Sequence, residues 1–223
     1  MPKIFIDPGH GGKDSGAIGN GLQEKDLTLD IALRMRRILL DEYEGVVVKL
    51  SRATDIYVSL DQRTNMANAW GADFFVAVHI NYGGGTGYED YIHNSLPDSS
   101  KTAVYRSQMH AEIIKATDWF DRGMKKADFH VLRESQMPAF LSENGFIDNA
   151  EDAAKLKTGA FREKIARGHV NGLAAALDLK KKVTLYRVVV DGVQVGAYSE
   201  KRSILNAIDE HLNQADHIII EKV

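Results

Sequence analysis

Apolar residues recur with two different periods along the first 180 residues of the chain. Short runs rich in β-branched and aromatic residues predict buried strands, and longer segments with apolar residues three or four positions apart predict amphipathic helices. We predict strands at 3–7, 46–50, 74–80, 88–93, 130–132 and 139–143, and helices at 25–43, 60–70, 101–120 and 161–179. This alternation is typical of an α/β fold, so we expect a mixed, mostly parallel sheet flanked by helices.

A different pattern follows residue 183. Strands are predicted at 184–190 and 193–198 on either side of an Asp-Gly turn, followed by a helix at 203–212 and a strand at 218–220. We therefore predict two domains, residues 1–179 and a small ββαβ module at residues 183–223. About 40 residues without a disulfide or metal rarely bury enough apolar surface to fold alone. We expect the module to pack on the larger domain or on its own copy in a homodimer.

Composition narrows the class of protein. Of the 223 residues, 44% are hydrophobic and 26% are charged, with a formal net charge of −3, which is the balance of a globular protein. Nucleic acid is not an expected partner, because no basic stripe is present to bind its phosphates. No apolar stretch approaches the length of a membrane span, and the first residues lack the pattern of a signal peptide. We expect synthesis in the cytoplasm without an export signal.

The chain contains no cysteine, so a metal site would be built from histidine and carboxylate side chains. His10 follows the first predicted strand, His79 lies at the end of the third, and Glu143 ends the sixth. Carboxyl ends of parallel strands meet at one edge of a sheet, and the first helix, which begins near Glu24, starts at that same edge. We expect these four side chains to converge.

Two imidazoles and one carboxylate around an open position form the ligand set of a hydrolytic zinc site, and a second carboxylate beside the bound water can act as a base. From the residues alone, Glu24 and Glu143 fit either role. The competing interpretation is that the two histidines are structural, since ligands this far apart along the chain are weak evidence for a metal site by their spacing.

Ordered sequence blocks add a family resemblance to this pattern. The blocks are Ile6-Asp7-Pro8-Gly9-His10-Gly11-Gly12, Glu24-Lys25, Ser51-Arg52, Leu60-Asp61-Gln62-Arg63, Val78-His79-Ile80-Asn81 and Pro138-Ala139-Phe140-Leu141-Ser142-Glu143-Asn144-Gly145. In them the chain resembles the zinc N-acetylmuramoyl-L-alanine amidases of bacterial autolysins and phage endolysins. The resemblance implies one Zn²⁺ held by His10, Glu24 and His79, with Glu143 as the catalytic carboxylate. One departure is Ala77, at a position where serine is common.

The activity that the resemblance implies is hydrolysis, by a zinc-activated water, of the amide bond between N-acetylmuramic acid and L-alanine in peptidoglycan. Two alternatives stay open: a zinc peptidase that cuts the stem peptide, and a non-catalytic cell-wall-binding protein with a structural metal. Residues 183–223 resemble small modules of phage amidases, which implies cell-wall binding. We expect the protein to reach the wall after lysis of a host or mother cell.

Overall fold

Strands and helices alternate along the chain. The structure, a computed structural model, describes residues 1–223 in two units, unit 1 (Met1–Lys180) and unit 2 (Lys181–Val223). The strands of unit 1 are β1 (Lys3–Pro8), β2 (Ile18–Gly19), β3 (Leu22–Gln23), β4 (Val47–Leu50), β5 (Phe74–Asn81), β6 (Tyr88–His93), β7 (Asp121–Ala127) and β8 (Ala139–Phe146). Its helices are α1 (Glu24–Glu42), α2 (Leu60–Trp70), α3 (Lys101–Ala116), α4 (His130–Arg133), α5 (Ala150–Lys157) and α6 (Gly159–Leu177). Unit 2 contains β9 (Tyr186–Val190), β10 (Val193–Tyr198), α7 (Lys201–His211) and β11 (Ile218–Lys222).

Unit 1 is organised around a six-stranded sheet with the strand order β4-β1-β5-β8-β6-β7. The first four of these strands are parallel to one another. Strand β6 runs antiparallel to β8, and β7 at the edge is parallel to β6. The predicted mixed, mostly parallel sheet is therefore confirmed.

Helices cover the two faces of the sheet unequally. On one face α1, α3 and α6 pack over a large core that includes Val76 and Val78 of β5. On the other face a smaller core contains Phe75 and Ala77 together with residues of α2 and α4. Because successive strand residues point to opposite faces, His79 lies on the side of the smaller core.

Two sequence predictions are wrong, and both concern the region after α3. Residues 130–132, predicted as a strand, belong to α4, where the N–H groups of Arg133 and Glu134 donate to the carbonyls of Phe129 and His130. The predicted helix at 101–120 ends at Ala116, and β7 follows it. Strand β7 lacks apolar alternation because it is an edge strand, in which charged residues discourage pairing with other chains.

A third difference concerns the position of Glu143. The sequence places this residue at the end of a strand, but β8 continues to Phe146, so Glu143 lies inside the strand. Its side chain direction is therefore determined by the pairing of β8 with its neighbours.

Unit 2 has a three-stranded antiparallel sheet in the order β10-β9-β11, together with α7. Its buried side chains are Val188 and Ala207. Nine larger apolar residues of the unit are exposed: Val183, Leu185, Val193, Val195, Leu205, Leu212, Ile219, Ile220 and Val223. Unit 2 thus buries little apolar surface of its own. Across both units, no helix combines the length and the apolar character needed to cross a membrane.

Helices α3 and α6 of unit 1 are in close backbone contact. A Cβ atom added at Gly172 of α6 would lie 2.7 Å from the Cα atom of Met109 in α3. Side chains larger than glycine are excluded at this point unless the helices separate.

We expect Gly172→Ala to lower the free energy of unfolding by about 1–3 kcal/mol, because relieving the clash shifts a packed helix. Urea denaturation measures this change. Gly159→Ala in the same helix is the matched control, since its Cβ would meet nothing closer than the Arg34 side chain at 3.5 Å. Equal stability of the two variants would show that the helices do not depend on this contact.

Candidate active site

Three side chains of metal-binding type meet at the carboxyl edge of the sheet. His10, Glu24 and His79 each offer one ligand atom, and these atoms lie within 4.8 Å of one another. The Glu24 carboxylate is between the two rings, with Oε2 3.1 Å from His10 Nε2 and Oε1 3.0 Å from His79 Nδ1. The structure thus brings together three of the four residues expected from the sequence, in an arrangement that could hold a metal ion.

Glu24 is buried and is the first residue of α1, where the helix dipole favours a negative charge. Its carboxylate also accepts hydrogen bonds from the backbone N–H groups of Ala17 and Ile80, at 2.9 and 3.0 Å. Burial alone would raise the pKa of Glu24, but the hydrogen bonds and charges of His10 and His79 hold that pKa well below its usual range. The carboxylate is therefore ionised at neutral pH, as a metal ligand requires.

The loop that contains His10 approaches the other ligands closely. His10 has a positive φ of 62°, which is uncommon for a residue with a side chain. The preceding residue is Gly9, and a Cβ atom there would lie 2.3 Å from the ring of His79. Glycine at this position allows the two histidines to come together.

Two arginines bind the carbonyl groups of this loop. Arg63 donates to the carbonyl of His10 at 2.7 Å, and Arg52 donates to that of Gly9 at 2.8 Å. Both arginines are buried, and Arg63 forms an ion pair with Asp7 at 2.6 Å. The conformation of the loop is therefore supported from inside the protein.

Asp14 orients the His10 ring. Its Oδ2 atom lies 2.9 Å from His10 Nδ1, so Nε2 is directed toward Glu24. In many metal sites the histidine nitrogen that does not bind the metal donates a hydrogen bond to a carboxylate, which fixes the orientation of the ring and increases its basicity. Asp14 was not predicted from the sequence, although a carboxylate four residues after a histidine in a glycine-rich loop was an available signal.

Glu143 is next to this group because β8 pairs with β5. Register places Glu143 directly opposite His79, so both side chains lie on the same face of the sheet. The Oε2 atom of Glu143 is buried and has no hydrogen-bond partner. Burial raises the pKa of Glu143 well above its ordinary value, and the negative charges of Glu24 and Glu89 raise it further. A carboxyl group with a raised pKa holds a proton more readily than an ordinary glutamate does.

A cavity of about 310 Å³ opens beside these residues. One wall contains His10, His79 and Glu143, and much of the remaining wall is apolar: Tyr57, Val58, Leu60, Phe129, Val131 and Leu141. His130 also lines the cavity, with Nε2 3.2 Å from Asp61. The site therefore has space for a substrate beside His10, Glu24 and His79.

The chain is similar to known amidases and to an endolysin. The sequence profile of the Amidase_3 family, described as N-acetylmuramoyl-L-alanine amidase, matches residues 4–175. The sporulation-specific N-acetylmuramoyl-L-alanine amidase of Bacillus subtilis is 59% identical over 203 residues, which are 90% of this chain and 77% of the relative. The endolysin of Bacillus phage SPP1 is 46% identical over 183 residues, 80% of this chain and 67% of the relative.

The chain belongs to the N-acetylmuramoyl-L-alanine amidase family. Its fold agrees with that assignment: the catalytic domain of the amidase CwlV from Bacillus (Paenibacillus) polymyxa var. colistinus superimposes with a TM-score of 0.76 at 36% identity, covering 81% of this chain and 100% of that domain. The family resemblance inferred from the sequence is confirmed. The protein is an amidase that hydrolyses peptidoglycan.

In this amidase we expect Glu24→Gln to weaken the binding of a divalent metal ion by at least about tenfold, because a neutral amide replaces the ionised ligand. Competition between the protein and a coloured Zn²⁺ chelator measures the affinity. Asp26→Asn, an exposed position in the same helical turn that loses the same charge, is the control and should bind like the wild type. Unchanged affinity in Glu24→Gln would remove Glu24 from the ligand set.

Proposed function

We propose that this amidase hydrolyses the amide bond between the lactyl carbonyl of N-acetylmuramic acid and L-alanine, using water and one Zn²⁺ held by His10, Glu24 and His79. The observation that supports it best is the contact of two imidazoles with a buried, ionised carboxylate on the side of the sheet where Glu143 Oε2 is buried without a hydrogen-bond partner.

The donor set fits zinc in particular. Two histidines and one carboxylate are a common set of three protein ligands in hydrolytic zinc sites, and they leave one position for water or substrate. When bound, the ion supplies a Lewis acid that lowers the pKa of water and polarises a carbonyl group. Within the protein, Asp14 holds the His10 ring so that Nε2 is directed toward the site.

The two glutamates lie in different environments, which supports a different role for each. Glu24, with a strongly lowered pKa, cannot accept a proton near neutral pH and acts as a ligand. Glu143, with a raised pKa, accepts a proton from the attacking water and passes it to the departing nitrogen of L-alanine. The cavity beside Glu143 receives the substrate on the same face of the sheet. No covalent bond between protein and substrate is required.

Analysis of the ends produced from purified peptidoglycan tests the proposed bond. We expect digestion to release new amino groups of L-alanine without new reducing sugars, because the bond cut joins the lactyl carbonyl to alanine. Protein treated with a chelator is the control and should release neither. New amino groups from any other stem residue would favour the competing zinc peptidase, and new reducing sugars would indicate cleavage of the glycan.

We propose that unit 2 binds the cell wall and associates with a second copy of itself. Its support is the small core of the unit and the exposed apolar side chains of its strands, among them Val193, Ile219 and Ile220. A second copy would cover the exposed apolar side chains on one face of this sheet, and two linked binding sites would gain avidity on a polymeric wall. Similarity to a sporulation-specific amidase and to a phage endolysin supports action at the wall after lysis of the mother cell or host.

We expect a chain ending at Lys182 to cleave a soluble muropeptide at nearly the normal rate, because the core of unit 1 and the site residues are retained. The same chain should sediment less with intact cell walls than the full chain does. A pelleting assay beside a muropeptide assay measures both. Equal sedimentation of the two chains would show that unit 2 does not bind the wall.

A further inference from the structure

A charged cluster lies beside Glu143 on the face of the sheet that contains the site. Its centre is Glu89 of β6, which register places opposite Glu143 of β8. Glu89 is only 4% exposed. Its carboxylate accepts hydrogen bonds from Asn81 (2.9 Å), Tyr91 (2.6 Å), Arg122 (2.6 Å) and Lys125 (2.5 Å).

The cluster contains more positive than negative charge. Burial would raise the pKa of Glu89, but the hydrogen bonds from Lys125, Tyr91 and Arg122 lower that pKa to about 2, so the carboxylate is ionised. Two cations, Arg122 and Lys125, face this single anion. The cluster therefore has a net positive charge.

The two cations remain accessible to a ligand. The side chains of Arg122 and Lys125 are 31% and 36% exposed. Arg122 uses Nε for Glu89 and has only a 3.5 Å contact from Nη1 to the carbonyl of Thr86. A guanidinium has five N–H donors and an ammonium three, so both groups retain donors for a further acceptor.

Their distance from the site matches the length of a short peptide. Strand β7 is two strands away from β8, which is about 10 Å at the usual strand spacing. An extended peptide advances about 3.4 Å per residue. A stem peptide that runs from Glu143 across β8 and β6 thus reaches β7 at about its third residue. The charged ends of Arg122 and Lys125 lie nearer, within reach of the second residue, because both contact Glu89 of β6. The Arg122 guanidinium is also held 4.8 Å from the centre of the Phe146 ring.

We propose that Arg122 and Lys125 form a carboxylate-binding subsite for the stem peptide, which extends from the scissile amide toward β7. This inference rests on the proposed function. The second residue of peptidoglycan stems is D-glutamate linked through its side chain, so its α-carboxyl group is either free or amidated. Charge-assisted hydrogen bonds from a guanidinium favour the carboxylate over the neutral amide. The subsite therefore selects stems with a free carboxylate.

The test compares two soluble muramyl tripeptides that differ only at this group, one with D-glutamate and one with its α-amide. For the double variant Arg122→Gln/Lys125→Gln we expect kcat/KM to fall about tenfold on the carboxylate substrate, mainly through a higher KM. On the amide substrate the change should stay below about twofold. Lys126→Gln, the matched control, removes a charge from the same strand, but Lys126 contacts Leu96 and Asp98 instead.

The single variants Arg122→Gln and Lys125→Gln each leave one cation on Glu89, and they provide the same comparison if the double variant does not fold. An equal loss on both substrates would overturn the inference, because the cations would then act through Glu89 and not on the substrate. The inference would also be overturned if the variants cleaved both substrates with the same kcat/KM as the wild type. If the wild type cleaves neither substrate at the alanine amide, the proposed function itself fails.

Discussion

The site depends on the way buried Arg52 and Arg63 bind the loop around His10. Backbone carbonyl groups of this loop point inward, where they need hydrogen-bond partners, and the two guanidinium groups supply them. Arg52 follows β4 and Arg63 belongs to α2, which comes next along the chain. The two arginines therefore join the segment after β4 to the His10 loop after the neighbouring parallel strand β1. The loop can therefore keep His10 at a positive φ, a conformation that is costly for a residue with a side chain.

Strand register provides the second part of the arrangement. It places His79, Glu143 and Glu89 side by side on one face of three adjacent strands. Each carboxyl group near the site then has a distinct environment: Glu24 contacts two imidazoles, Glu89 contacts two cations, and the buried oxygen of Glu143 has no partner. Similar side chains thereby acquire different pKa values, which is how one site can contain both a metal ligand and a proton acceptor.

Much of this arrangement follows from the sequence, because strand periodicity places His10, His79 and the start of α1 at one edge of a parallel sheet. The proposed division of roles between Glu24 and Glu143 does not follow from periodicity, since it rests on burial and on neighbours that are distant along the chain. In the sequence analysis that division came from the family resemblance. The cluster around Arg122 was also missed, because a charged edge strand lacks the apolar pattern by which strands are predicted.

Glu143→Gln tests the central claim most directly, when bound zinc and the rate of muropeptide cleavage are measured on the same sample. The amide keeps the size of the side chain but cannot accept the proton. We expect the variant to bind as much zinc as the wild type and to cleave more slowly by a factor of about 10² to 10⁴. A normal rate, or loss of zinc together with activity, would contradict the assignment of Glu143 as the proton acceptor beside a three-residue metal site.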